Sequence, residues 1–185
     1  VAILHFSRAL GFSNLGETFK AEKELQSLIS LRDKLSDADK PYESGQVTIQ
    51  IEAVRAWIEF SKGNSNKAVD YMKLASNLES KTSKAAVTPG EIIPADELLG
   101  DLYLALNKPK EALASYKLNL ELRPFRFNGI YGAAKAAENL EDIKLARYYY
   151  NQLIELTSEV NSSRPEINEA KDFLTTNSMS IADNG

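Results

Sequence analysis

The chain has 185 residues, 43% hydrophobic and 26% charged, the make-up of a soluble globular domain long enough to bury a core. Its formal charge of −4, from 22 basic and 26 acidic residues, gives no electrostatic basis for binding nucleic acid or an anionic membrane. Cysteine is absent, which excludes disulfides, thiolate metal sites and a cysteine nucleophile, and no run of about 18 apolar residues could span a bilayer.

The opening V-A-I-L-H-F-S-R-A-L is apolar but has no basic start and no cleavage site. It reads as a helix already under way, the beginning of a fragment or domain of a longer protein, rather than as a signal peptide. Residues 2–35 form a first helix pair: Ala9 is a small packing position, Ser13-Asn14-Leu15-Gly16 is the turn, and Leu25, Leu28, Ile29 and Leu35 follow helical spacing. Residues 36–45, polar and holding Pro41 and Gly45, are expected to be a connector.

Val47, Ile49 and Ile51 alternate as in a strand. Val54, Ile58 and Phe60 then continue at helical spacing, so a helix is expected and a strand is the alternative. After the turn Lys62-Gly63-Asn64-Ser65-Asn66, a second helix carries Ala68, Met72 and Ala75. The insertion at 80–94 contains Thr88-Pro89-Gly90, a tight-turn sequence, and is expected to be a structural crossover, with a binding loop as the alternative.

From Ile93 to Leu156 one pattern is written twice with a period of 34 residues. Gly100 is answered by Ala134, Ala112 by Ala146 and Tyr116 by Tyr150, while Leu99, Tyr103 and Pro124 complete the first copy. Small residues let paired helices approach, aromatic rings fill the space between pairs, and a proline ends the second helix. Ala21, Ala68, Ala112 and Ala146 stand 47, 44 and 34 residues apart, so the insertions lie between repeats. Beyond a polar link at 161–164, Ile167, Ala170, Phe173 and Leu174 mark one side of a short helix, with Ser163 and Glu166 at capping-box spacing. Residues 176–185 are expected to be a disordered tail.

These residues resemble the tetratricopeptide repeat, whose helix-turn-helix units bury their apolar faces by stacking. The resemblance implies an all-α fold, a right-handed α-α superhelix of about four helix pairs (roughly 2–35, 46–79, 93–126 and 127–160) and a C-terminal capping helix at 164–175. The segments H-F-S-R-A, V-T-P-G, P-A-D-E-L-L-G-D and R-F-N-G-I-Y-G-A-A-K-A-A-E also resemble the C-terminal part of an uncharacterised bacterial family of such repeat proteins. Members of that family usually continue upstream into histidine-rich repeats, and a His-Pro pair tends to precede the V-T-P-G loop. Ala85-Ala86 stand there in this chain.

Carried through the repeat register, the exposed concave face would hold Phe6, Leu10 and Ser13, then Ala53, Trp57 and Phe60, then Glu97, Asp101 and Leu104, and last Tyr131, Lys135, Glu138 and Asn139. Trp57, the only tryptophan, is the natural binding anchor of that face, or else a core residue between the first two repeats. Repeat domains that clamp a terminal carboxylate pair Lys with Asn, whereas this face offers Glu97 and Asp101 with Lys135 alone basic. The expected partner is therefore a peptide or helix with some positive charge.

No phosphate loop and no His or Cys cluster of metal spacing is present, His5 is the single histidine, and no cofactor is expected. Glu138, Glu141 and Asp142 read as a solvated face and a helix start. One or two of Tyr148, Tyr149 and Tyr150 must face inward, and the remainder could contact a second copy of the chain. The expected function is thus a non-enzymatic protein-protein interaction scaffold in a soluble compartment, the cytoplasm slightly favoured. The alternative is a structural or self-associating module that supports an upstream domain.

Overall fold

Each helical hairpin turns on one residue with positive φ. Gly16 (72°), Gly63 (80°), Asn107 (55°) and Glu141 (59°) stand five positions before Ala21, Ala68, Ala112 and Ala146. In all four, the N–H of the next residue reaches back to a carbonyl five positions earlier: Glu17 to Phe12, Asn64 to Glu59, Lys108 to Tyr103 and Asp142 to Ala137, at 2.8–3.0 Å. This is the Schellman closure, which satisfies the last carbonyls of one helix and aims the chain into the next.

The protein, in a computed structural model, is described for residues 1–82, 92–159 and 162–182. Its helices in chain order are α1 (Ala2–Asn14), α2 (Thr18–Asp37), α3 (Pro41–Ser61), α4 (Ser65–Lys81), α5 (Ala95–Ala105), α6 (Pro109–Leu122), α7 (Phe127–Asn139), α8 (Ile143–Leu156) and α9 (Pro165–Ala182). No strand occurs among the described residues. The fold is all-α and of the tetratricopeptide-repeat type, helix pairs followed by a last helix.

Two compact units divide at Leu102/Tyr103, within α5. In the first, α1 packs on α2 and α3, α2 on α3, and α3 on α4. The small positions Ala9, Ala21, Ala56 and Ala68 are wholly buried, and Leu28, Ile51, Val54 and Met72 fill the space between helices. Two buried acids tie helices here. Glu24 accepts from His5 (2.6 Å) and Arg8 (2.8 Å), linking α2 to α1. Glu79 of α4 accepts from the backbone N–H of Ala95 (2.9 Å), while Ser76 donates to Asp96 (2.6 Å). A carboxylate at the first turn of α5 satisfies otherwise unpaired donors where the helix dipole is positive.

In the second unit α6 packs on α7, α7 on α8, and α8 on α9. Tyr116 and Tyr150, the matched aromatics, are both fully buried, as are Ala112, Ala134 and Ala146. Tyr116 is seated by Gly132: a Cβ built there would lie 2.2 Å from the Tyr116 ring. α6 stops at Leu122 because Pro124 keeps the preceding Arg123 out of the helical conformation (φ −143°, ψ 69°). α8 starts on Asp142, whose carboxylate accepts from the Leu145 N–H at 3.0 Å.

The structure departs from the expected elements in three places. The connector is shorter than 36–45, because Pro41 occupies the first turn of α3, where its fixed φ suits a helix and its missing N–H costs nothing. Val47, Ile49 and Ile51 are helical, as expected, and all buried, so their strand-like alternation reflects burial on two sides of α3. The capping-box pairing of Ser163 and Glu166 gives way to an ion pair of Glu166 with Arg164 (3.2 Å), whose guanidinium lies over the Phe127 ring at 3.9 Å. α9 runs on to Ala182, past the expected end at 175, through a stretch free of Gly and Pro. The V-T-P-G loop and Ala85-Ala86 lie outside the described residues.

Candidate functional site

In the first unit the expected face is largely closed. Phe6 and Leu10 of α1 and Trp57 of α3 are buried, with Trp57 only 8% exposed, and Ser13 and Ala53 are buried beside them. Glu97, in the first turn of α5, is fully buried. The exposure expected of Phe6, Leu10, Ser13, Ala53 and Glu97 does not hold, and Trp57 takes its core reading rather than that of a binding anchor. α1 packs against α3 as well as α2, so residues pointing along the row of first helices contact one another.

Trp57 meets Phe60 edge to face at 5.5 Å between centroids, and Ser61 of the same helix donates to the Ser13 carbonyl at 2.7 Å. The indole Nε1 has no hydrogen-bond partner among the described residues. Phe6 and Ala53 line a cavity of about 30 Å³, too small for a partner's side chain. Phe60 and Asp101 remain half-buried and reachable.

In the second unit the expected residues remain reachable. Leu104 is half-buried near the end of α5, and Asn139 is exposed. Tyr131, Lys135 and Glu138 follow one another at i, i+4 and i+7 on α7, each half-buried. They do not stand alone. Glu169 of α9 accepts from the Tyr131 hydroxyl and from Lys135 (2.6 Å). Glu138 accepts from Lys135 (3.0 Å) and from the buried Tyr150 of α8 (2.7 Å). One lysine and two carboxylates thus join α7, α8 and α9 in a network with a net negative charge.

Burial and the neighbouring Glu169 push the Tyr131 phenol far above its ordinary range, and burial with Glu138 does the same to Tyr150. Burial alone would lower the Lys135 ammonium, but hydrogen bonds and attraction to Glu169 and Glu138 outweigh it and raise the group. Burial pushes the Glu169 carboxyl up, yet Lys135 and Tyr131 together hold it below the usual carboxylate range. Each group is therefore kept in the form the network needs: neutral phenols, a charged ammonium and a charged carboxylate.

His5 has a carboxylate neighbour in Glu24, which sequence reasoning missed because 19 residues separate them. Only the pairing of α1 with α2 brings them together. Among the described residues no three His, Asp or Glu side chains gather so as to hold a metal ion. No described helix is long and apolar enough to cross a membrane.

Residues 97–126 match the family described as tetratricopeptide repeat. The matched segment covers α5, the Asn107 turn, α6 and the Pro124 stop. This is a tetratricopeptide-repeat fold. Among solved structures the chain is similar to the crystal structure of MamA protein, with a TM-score of 0.50 and 13% identity over 88% of this chain and 97% of that one. At that identity the likeness speaks for the fold alone. Comparison with curated protein sequences finds no match.

The repeat assignment explains the regularity already described. Ala21, Leu25, Ala68, Met72, Ala112, Tyr116, Ala146 and Tyr150 are the recurring small and large positions of the second helices, and every one is buried. Stacked pairs of this type expose extended surfaces on which other proteins are bound.

Proposed function

We propose that this domain is a protein-protein interaction module that receives a positively charged segment of a partner along α7, the first helix of its last pair. The observation that carries the reading is the Tyr131–Lys135–Glu138 stripe of α7. It is half-exposed, net negative with Glu169, and held in place by hydrogen bonds before any partner arrives. Preformed geometry of this kind reduces the ordering entropy of binding. Within the same unit, Leu104 of α5 is a half-buried apolar position.

Selection from a displayed peptide library tests the proposal. Enriched peptides are expected to carry Lys or Arg beside an apolar residue. Their affinity should fall about tenfold with Glu138→Gln, measured by titration calorimetry, as for loss of a well-placed charge at an interface. Enrichment without basic residues, or affinity indifferent to Glu138→Gln, would sink it. Light scattering after size exclusion is expected to give a monomer at every concentration. A concentration-dependent dimer would favour the self-associating alternative.

A further inference from the structure

A second surface of the Tyr103–Gly185 unit is lined by α6, its Pro124 stop, Ile130 of α7 and α8, and includes no residue of the Tyr131–Lys135–Glu138 stripe. Two hollows adjoin there. One, of about 270 Å³, is lined chiefly by Phe125, Leu156 and Glu155, and the other, of about 310 Å³, by Tyr148, Tyr149 and Glu121. Pro124 and Gln152 line both, so the two form one trough. Phe125 is 79% exposed and Tyr148 55%, an unusual outlay of aromatic surface so close together.

The chemistry of the trough is specific. Its lining includes a proline and aromatic rings, with Tyr148 and Tyr149 edge to face at 5.2 Å. Gln152 donates its amide N–H to the Tyr148 oxygen at 3.0 Å, which leaves the phenol's own O–H free to donate outward. Glu121 and Glu155 are exposed on its walls and have no ion-pair partner among the described residues. The one cation of the lining, Lys117, does not balance them.

We infer that this trough docks a short proline-rich segment in the polyproline II conformation with basic residues at its flanks. A polyproline II helix has no internal hydrogen bonds, so its carbonyls are available to the Tyr148 hydroxyl. It turns every three residues and presents like faces about 9 Å apart, so one short segment offers its rings at regular intervals along the trough. Prolyl rings stack on aromatic faces at little entropic cost, the mode used by other aromatic-lined grooves. The flanking Lys or Arg would meet Glu121 and Glu155. This surface is independent of the α7 stripe, and either reading can fail without the other.

The test is fluorescence polarisation with a short fluorescein-labelled polyproline peptide bearing an arginine at each end, beside the same peptide with glutamates there. The arginine peptide is expected to bind saturably and more tightly than the glutamate peptide. Tyr148→Ala should weaken it about tenfold and Tyr148→Phe, which removes only the hydroxyl, about threefold. The double variant Glu121→Lys/Glu155→Lys should abolish the preference for arginine. All these side chains are exposed, and unchanged far-UV circular dichroism will confirm folding. No saturable binding up to about millimolar protein, equal binding of both peptides, or affinity unmoved by Tyr148→Ala overturns the inference. So does a dimer lost in Tyr148→Ala, which would give the trough to a second copy of the chain.

Discussion

At the scale of single residues, the small positions decide how closely helices approach. Gly132 is the strictest, since a Cβ there would stand 2.2 Å from the fully buried ring of Tyr116. Gly132→Ala gains about 1 kcal/mol of helix propensity but must displace that ring, so a net loss of about 2 kcal/mol is expected in urea unfolding. The turn residues behave in the opposite way. Glu141 holds a left-handed conformation that costs a side-chain-bearing residue about 1 kcal/mol, and Glu141→Gly is expected to raise stability by up to that amount. Gly63→Ala, at φ 80° with open space around it, should lose a similar amount from backbone strain alone. Equal unfolding midpoints for Glu141→Gly and the natural protein would show that the turn is not strained. The alanines and Tyr116 announce themselves in sequence by their spacing. Gly132 does not, because it stands two residues away from the register position Ala134, and only the crossing of α6 and α7 reveals what it faces.

At the scale of elements, α9 is held to the second unit by a polar network as well as by apolar packing. Phe173 lies 4.8 Å from the Tyr150 ring, and Ile167 and Ala170 are buried. Glu169, lowered in the folded state, contributes stability that is present above the ordinary carboxyl pKa of about 4.3 and is lost as pH falls through its folded value. Thermal melts from about pH 7 to about pH 3 should therefore show an acid decline that Glu169→Gln makes shallower, together with a lower midpoint at neutral pH. A Glu169→Gln profile parallel to that of the natural protein would exclude the carboxylate from this role. Tyr131, Lys135 and Glu138 were legible as a stripe from their i, i+4, i+7 spacing. Their partner Glu169 was not, since nothing in the order of residues says which face α9 turns toward α7 and α8. The capping box written into Ser163 and Glu166 lost to a local alternative, the pairing of Glu166 with an arginine stacked on Phe127.

At the scale of the whole molecule, a stack of repeats needs its last core face covered. Removing residues 165–185 would uncover Tyr150 and the neighbouring side of α8, and a marked drop in soluble yield and melting temperature is expected. A truncated protein as soluble and stable as the whole would show that α9 is an appendage. The all-α class, the four hairpins and the long spacings between them follow from the sequence by itself, because small, large and turn residues recur at positions that only stacked helix pairs can use together. What the tertiary structure decided is exposure. Trp57, Phe6 and Leu10 occupy register positions that could face a partner, yet they are buried because α1 also packs on α3, while Phe125 and Tyr148 stay in solvent. Repeat register assigns a residue to a side of its helix, and only the packing of neighbouring helices decides whether that side meets water.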